Sequence, residues 1–130
     1  MEKSIFGIGT DIIEIKRIRS AIERNPAILK RLFTGKEINY CSTKSDMNTR
    51  YVCYAQRFAA KEAVSKALGT GLGRNIFLTE IEIQNTGDGK PLVELYGKSR
   101  DFAEAKKISR IEISVSGTED YAVAFSVACL

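Results

Sequence analysis

Small hydrophobic residues recur with a helical period through residues 46–68, the longest such segment of the chain. At about 100° per residue, five of them fall along one stripe: Val52, Ala55, Ala59, Ala63 and Ala67. Short side chains along a stripe let another element approach the helix closely. The segment contains no glycine or proline, and the glycine-rich residues 69–73 follow it. The pattern predicts a long helix that ends in a loop whose backbone can approach a ligand.

The other segments follow either the helical period of about 3.6 residues or the strand period of two residues. Alternation between the two faces predicts strands at 5–11 and 78–84, and further strands are predicted at 91–96, 111–116 and 121–128. Helical spacing predicts helices at 12–24, 27–33 and 98–107, and the capping pattern from Thr34 to Glu37 predicts another helix that starts there. This order of elements indicates one α+β domain, residues 1–130, with an antiparallel sheet packed against helices.

Two of the predicted strands carry unusual residues. Gly7 and Gly9 share a face with Asp11, and glycines weaken a strand unless another element comes close to it. Asp11 is expected at the end of its strand, either as the N-cap of the next helix or as a metal ligand. In the strand at 78–84, the alternation places Glu82 on the solvent side.

The composition limits the chemistry. The chain of 130 residues contains no histidine, which excludes a Ser-His-Asp triad and an imidazole base. Its three cysteines lack a metal-ligand spacing, so we expect three free thiols in a reducing cytoplasm. No apolar run is long enough to span a bilayer, and we expect no secretory signal at the N-terminus. Any chemistry must use carboxylates, lysine, arginine, water or a hard metal ion.

Positive charge is concentrated in one segment. The net charge is +4, and residues 16–31 contain six basic residues and one acid, Glu23. Such a surface indicates an acidic partner, either nucleic acid or an acidic protein, unless it is an ordinary solvated helix face. The aromatic residues do not interleave with the basic cluster as they do in nucleic-acid-binding modules.

Glu62 and Lys66 lie in or beside the alanine stripe, one helical turn apart, whereas Arg57 and Lys61 point to the other side. A structural interpretation is an ordinary i, i+4 ion pair worth a few tenths of a kcal/mol. The functional interpretation makes Glu62 a metal ligand and Lys66 a phosphate-binding or proton-transfer group. The glycine-rich exit of the helix favours the second.

Four motifs occur in the order found in one known family. They are GIGTDI at 7–12, FAAKEAVSKA at 58–67 with Gly69-Thr70-Gly71, GKP at 89–91, and SVS at 114–116 followed by Tyr121-Ala122. With them the sequence resembles the holo-acyl-carrier-protein synthases, the small bacterial 4′-phosphopantetheinyl transferases. The resemblance implies that family's α+β fold. It also implies Mg²⁺-dependent transfer of the 4′-phosphopantetheine group of coenzyme A to a serine of acyl carrier protein, for fatty acid biosynthesis.

The resemblance also implies the site residues. Asp11 and Glu62 match the Mg²⁺ ligands, and with Lys66 they would be the catalytic residues, although the general base stays open between Lys66, Glu62 and a metal-held water. The positions that match coenzyme A contacts are Arg57, Lys61, Ser65, Lys66, Gly69, Thr70, Gly71, Lys90, Pro91, Gly117 and Thr118. Arg17 and Arg24 would dock the acidic acyl carrier protein, which gives the basic segment a partner.

One position departs from the family pattern. The family commonly carries a histidine near the 3′-phosphate of the nucleotide, where this chain has Gly117 followed by Thr118. Backbone N–H groups at these two residues and the Thr118 hydroxyl could still bind phosphate. We expect weaker binding of coenzyme A rather than a different reaction.

The assembly is also implied by the resemblance, because bacterial members of this length match one half of a longer two-lobed transferase. We expect a homotrimer with coenzyme A in clefts between subunits. Residues 121–128 are apolar on both faces, which suits a strand buried on both sides. The alternative is a monomer in which this strand is simply central in its sheet.

Two further functions stay open at this point. The first is a basic module without enzymatic activity that binds nucleic acid through residues 16–31. The second is a degenerate transferase that binds coenzyme A without turning it over, an option suggested by Gly117. Transfer of phosphopantetheine to a carrier protein would exclude both, and we expect neither nucleic acid nor a membrane among the partners.

Overall fold

A computed structural model describes residues 4–130 of the chain. The elements are β1 (Ile5–Glu14), α1 (Ile15–Arg24), a 3₁₀ turn (Pro26–Ile28), α2 (Leu29–Leu32), α3 (Gly35–Ser42), α4 (Met47–Ala67), a second 3₁₀ turn (Leu78–Glu80), β2 (Ile81–Asn85), β3 (Pro91–Leu95), α5 (Gly97–Ala105), β4 (Arg110–Gly117) and β5 (Tyr121–Cys129). The first strand and the last two form an antiparallel sheet in the order β1-β5-β4, and β2 pairs with β3 in a hairpin.

Helix α4 crosses one face of the three-stranded sheet. Its stripe of Ala55, Ala59, Ala63 and Ala67 is fully buried, as the periodicity predicts. On β5 the residues that alternate toward the helix are also small, since Ala122, Ala124, Ser126 and Ala128 are buried there. Small side chains on both surfaces let the helix lie close to the sheet. This contact is the centre of the core.

Asp46 caps α4, because its carboxylate accepts a hydrogen bond of 2.8 Å from the backbone N–H of Thr49. The predicted capping box at the start of α3 is confirmed, with Thr34 and Glu37 each accepting from the other's backbone N–H. These caps satisfy N–H groups that have no partner within the helix. The caps therefore define where α3 and α4 begin.

The first strand is longer than predicted. It continues to Glu14, so Asp11 lies inside β1, opposite Ala124 of β5, and the helix begins only at Ile15. The ladder with β5 extends through residues 12–14 and decides their conformation over their helical spacing. Glu14 occupies the N-cap position of α1, so the N-cap alternative for Asp11 is wrong.

The prediction that Glu82 of β2 faces solvent is also wrong. Glu82 is 4% exposed, and its carboxylate accepts hydrogen bonds from the Thr34 hydroxyl at 2.6 Å and from the Gln84 side-chain amide at 2.7 Å. Burial acts to raise the pKa of Glu82, but these hydrogen bonds and one from Tyr96 outweigh it, so the pKa lies below its ordinary value. The α3 side of the hairpin covers this residue.

The prediction of three free thiols is wrong for two of them. Cys41 of α3 and Cys53 of α4 form a disulfide, whereas Cys129 is a free, buried thiol. The antiparallel packing of α3 on α4 brings the two Cα atoms within 5.6 Å. No spacing rule in the sequence indicates that pairing.

Alkylation should count these thiols. We expect denatured, unreduced protein to take up one alkyl group, at Cys129, and reduced protein to take up three. Reduction should also lower the melting temperature, because a crosslink over a loop of this size is worth about 3 kcal/mol in the chain-entropy model. Mass spectrometry of the alkylated protein makes the measurement. Three groups without reductant would contradict the link.

Candidate active site

Two glycines hold β1 against the C-terminal half of α4. A Cβ atom on Gly9 would lie 2.7 Å from the backbone nitrogen of Ala67 and closer still to the carbonyl oxygen of Ala63. A Cβ on Gly7 would overlap the carbonyl oxygen of Ala67. Real Cβ atoms do not approach backbone this closely, so only glycine permits the contact. As the sequence pattern predicts, the glycines mark a close approach, and it places Asp11 beside α4.

Asp11, Glu62 and Lys66 meet at this contact. The Lys66 ammonium donates to the carbonyl oxygen of Thr10 at 2.9 Å and lies 3.4 Å from Oδ1 of Asp11. Partial burial raises the pKa of Glu62, and the negative charge of Asp11 raises it further against the opposing effect of Lys66. Two carboxylates therefore share a site with one ammonium group. Within residues 4–130 the ion-pair partner of Lys66 is Asp11 and not Glu62, so the i, i+4 interpretation is wrong.

A groove with apolar walls leads away from the two carboxylates. Its volume is about 450 Å³, and Ile28, Leu32 and Phe58 line it. Arg17 lies on its wall, and both Arg17 and Arg24 are exposed on α1. The groove therefore brings together apolar walls, the Arg17 side chain and the paired carboxylates.

The glycine-rich loop follows the same end of α4. Gly69, Gly71 and Gly73 have φ values of 87°, 66° and 124°, in the left-handed region that favours glycine. Gly69 and Thr70 are exposed, and no atom of residues 4–130 lies within 4 Å of the position of a Cβ on Gly69 or Gly71. Glycine is thus required here by the backbone conformation and not by crowding.

Arg57 lines a second cavity, of about 180 Å³, on the opposite side of α4. It is 7% exposed, its Nη2 donates to Oδ1 of Asn85 at 2.5 Å, and its guanidinium carbon lies 4.4 Å from the Tyr40 ring centre. Burial lowers the pKa of Arg57, and the charge of Glu37 opposes this. Among residues 4–130, its buried Nε has no hydrogen-bond partner. A buried guanidinium with a free donor is suited to an anion.

Of the other residues predicted to contact coenzyme A in this region, some line the Arg57 cavity and others do not. Pro91 lines it, whereas the exposed Lys90 extends its ammonium to 4.0 Å from Glu112. A Cβ on Gly117 would lie 3.6 Å from Nε2 of Gln56, which is part of the cavity wall. The backbone N–H of Thr118 already donates to Tyr121 at 2.9 Å, so the prediction that this N–H binds phosphate is wrong.

Lys61 and Ser65 are not at the surface, and their predicted contact with coenzyme A is wrong for this reason. Both are fully buried. Lys61 forms an ion pair with Glu37, and the Ser65 hydroxyl donates to the carbonyl oxygen of Glu62 at 2.7 Å. The sheet covers one side of α4, and α3 and β2 cover the other. Both side chains therefore face protein.

Comparison with known proteins decides the family. The model of the 4′-phosphopantetheinyl transferase superfamily matches residues 7–126. A holo-[acyl-carrier-protein] synthase of Clostridium tetani is 50% identical over 95% of this chain and 94% of its own length. This chain belongs to the holo-[acyl-carrier-protein] synthase family. The predicted family and enzyme class, a 4′-phosphopantetheinyl transferase, are confirmed.

Solved structures of the family confirm the predicted fold class. The crystal structure of holo-[acyl-carrier-protein] synthase from Neisseria meningitidis is similar with a TM-score of 0.87 and 35% identity, over 95% of this chain and 98% of that one. The enzyme from Helicobacter pylori, crystallised in complex with coenzyme A, has a TM-score of 0.81 and 31% identity, over 93% of this chain and 98% of that one.

Within residues 4–130, no group of three or more His, Cys, Asp or Glu side chains could hold a metal ion. A closed transition-metal site needs such a group, whereas Mg²⁺ is bound through one or two carboxylates and substrate phosphates. The pair of Asp11 and Glu62 fits the second kind. None of the described helices is both long and apolar enough to cross a membrane.

Sequence reasoning missed several residues that line the two cavities of the candidate site. Gln56 and Asn85 line the Arg57 cavity, and Ile28, Leu32 and Phe58 line the groove. None of these five residues stands out as a lining residue until the chain is folded. No signal in a single sequence separates a groove wall from a core position.

Proposed function

We propose that this protein transfers the 4′-phosphopantetheine group of coenzyme A to a serine of apo acyl carrier protein, for fatty acid biosynthesis. The observation that carries the proposal is the meeting of Asp11, Glu62 and Lys66, with both carboxylates in the lining of an open groove. The coenzyme A complex of the Helicobacter pylori relative supports the donor substrate. The predicted cytoplasmic location stays a prediction.

Asp11 and Glu62 fit Mg²⁺, because each raises the electrostatic cost of the other's charge and both present hard oxygen ligands. When bound, Mg²⁺ would neutralise negative charge on the pyrophosphate of coenzyme A. Lys66 adds a positive charge at the same place, held there by Thr10 and Asp11. These groups orient the pyrophosphate at the end of the groove.

In the reaction, the serine oxygen forms a bond to the β-phosphorus and the pyrophosphate P–O bond breaks. The products are holo carrier protein and adenosine 3′,5′-bisphosphate. Of the chain's own groups, Glu62 is the better acceptor for the serine proton. Lys66 is a donor in two contacts, and burial already favours the protonated form of Glu62.

The two anion-binding regions support a site shared between subunits. Arg57 and Lys66 are nine residues apart on α4, about 180° around the helix and about 13.5 Å along its axis. They face different neighbours, Asn85 for Arg57 and β1 for Lys66. If the Arg57 cavity of one copy lay beside the carboxylates of another copy, both regions could contact one coenzyme A molecule.

The outer face of the sheet supports the same assembly. Ile8, Ile12 and Phe125 are 61%, 62% and 44% exposed, and Tyr121 beside them is 44% exposed. A solvated face of an antiparallel sheet normally carries polar residues. Strand β5 is central in its sheet, but within residues 4–130 its second face stays exposed at Tyr121 and Phe125. A second and a third copy of the chain are the partners that we propose, with the number taken from the family.

Sedimentation equilibrium should detect this assembly. We expect a mass three times the 14.4 kDa of one chain at micromolar concentration. Phe125→Lys should give monomers without transfer activity, because a charge on the outer face cannot be buried unpaired. Lys98→Glu, on exposed α5, is the control and should stay trimeric. A fully active wild-type monomer would contradict the shared site.

Charge reversal should separate carrier docking from coenzyme A binding. Arg17→Glu with Arg24→Glu should raise the KM for carrier protein roughly tenfold at low salt, since opposite charges steer the two proteins together. The KM for coenzyme A should change little. Lys98→Glu in α5 with Lys106→Glu at its C-cap makes the same charge change away from the groove and should leave both constants unchanged. A loss of coenzyme A affinity alone would place α1 in the nucleotide site.

One assay tests the function itself. The protein is mixed with coenzyme A, Mg²⁺ and apo acyl carrier protein, and mass spectrometry follows the carrier. A mass gain of one phosphopantetheine is expected, and its loss on chelation supports the metal. Coenzyme A binding without transfer would indicate the degenerate transferase. Binding of nucleic acid alone would indicate the basic module.

A further inference from the structure

A buried ion pair connects the core to the groove. The Lys61 ammonium lies 2.5 Å from Oε1 of Glu37, and it donates to the carbonyl oxygens of Leu32 at 2.9 Å and Leu78 at 3.0 Å. Both charged side chains are fully buried. An ammonium group has three N–H donors, and these three contacts use all of them.

Glu37 is bonded equally completely. Its Oε1 also accepts from the backbone N–H of Thr34 at 2.9 Å, and its Oε2 accepts from that of Ile83 at 2.8 Å. The pair therefore ties α4 to the end of α2, the start of α3, the Leu78 turn and β2. Each bond has a defined direction, so the pair fixes how these segments sit relative to one another.

Leu32 connects this pair to the site. Its side chain lines the groove, and its carbonyl oxygen is the end of α2 that Lys61 holds. Helix α2 has only four residues, so its position depends on tertiary contacts and not on its own stability. Lys61 immediately precedes Glu62 on α4. One residue thus holds the groove wall and the next contributes the carboxylate at its end.

Stability does not by itself require the pair. Replacing a buried ion pair by apolar residues of similar volume is often neutral or stabilising, because desolvation offsets the Coulombic attraction. What an apolar pair cannot do is hold the Leu32 carbonyl in one direction. The pair can therefore affect function through the positions of the segments that its hydrogen bonds join.

We propose that the Lys61–Glu37 pair is a positioning device for the groove wall at residues 28–32, and that it sets the affinity for the carrier protein. The proposal rests on the proposed function and assigns Lys61 a role other than contact with coenzyme A. The carrier rather than coenzyme A is affected, because Leu32 lines the groove beside Arg17, away from the Arg57 cavity.

The test is a double variant, Glu37→Gln with Lys61→Met, which removes both charges and leaves no unpaired buried charge. The carrier KM should rise about tenfold, since a displacement near 1 Å is enough to weaken a docking contact. The kcat and the coenzyme A KM should stay within about twofold of wild type. Glu37→Gln alone keeps the shape and an acceptor oxygen, and it should show a smaller rise in the same constant.

Ser99→Ala is the matched control. Ser99 is also fully buried and bonds Phe77 and Glu80, but it lies outside the groove. It should lower the melting temperature without raising the carrier KM. The inference would be overturned if the control and both pair variants changed all the kinetic constants equally. It would also be overturned if a folded double variant kept the wild-type carrier KM. Absence of transfer by the wild type would instead overturn the proposed function.

Discussion

Replacing Glu62 by glutamine should lower the rate of phosphopantetheine transfer by about 10²–10³-fold, because preorganised charge at the reacting phosphate is lost. Asp11→Asn should act in the same direction, since the two carboxylates share one site. The measurement is the Mg²⁺ dependence of transfer under saturating coenzyme A and carrier. Glu94→Gln, an exposed carboxylate on β3, is the control and should keep wild-type rates.

The loss of rate should occur without a loss of stability. Burial and Asp11 raise the pKa of Glu62, so the ionised carboxylate costs folding free energy at pH values above its ordinary pKa. Glutamine removes that cost, and the melting temperature at neutral pH should stay the same or rise. A large drop in melting temperature would mean that the carboxylate is structural. Turnover near wild type in both variants would exclude these carboxylates as magnesium ligands.

A methyl group on Gly9 should destabilise the fold by about 3 kcal/mol, because overpacking a close contact forces backbone to move. The Cβ of Gly9→Ala would meet backbone atoms of Ala63 and Ala67, which cannot rotate away. For a domain of this size the expected fall in melting temperature is roughly 10 °C. Thermal unfolding followed by circular dichroism measures it.

Transfer activity should fall with it, even at temperatures where the variant is folded, because Asp11 follows two residues later on the same face of β1. Gly35→Ala is the matched control. Nothing lies within 4 Å of a Cβ there, and alanine is a better helix former than glycine at this position in α3. Equal melting temperatures for Gly9→Ala and wild type would show that strand and helix can separate without cost.

The local signals in the sequence predict most of the elements. The alanine stripe, the capping box at Thr34 and the glycines of β1 each act through contacts whose physical basis is short side chains or neighbouring backbone. The motifs also predict that Asp11, Glu62 and Lys66 belong together, and these residues do meet. Element boundaries are less predictable, as at residues 12–14, where pairing with β5 replaced the expected helix.

The errors share one cause, which is a partner distant along the chain. Lys61 faces Glu37 and two carbonyl groups instead of coenzyme A, Glu82 is covered by Thr34, and Cys41 meets Cys53. A helical wheel gives the direction of a side chain but not what covers that side. The presence of a residue in a family motif likewise does not show whether the residue contacts a ligand or is buried and holds other segments in place.

Short segments of the sequence are enough to predict the long helix α4, its small-residue face and the close approach of the glycine strand, because each depends on side-chain size. The acidic pair is implied by the family resemblance. The folded structure was needed to show which charged residues are buried and where the groove runs. Those features depend on how separate segments pack. A buried charge is stable only where the folded chain supplies its partners.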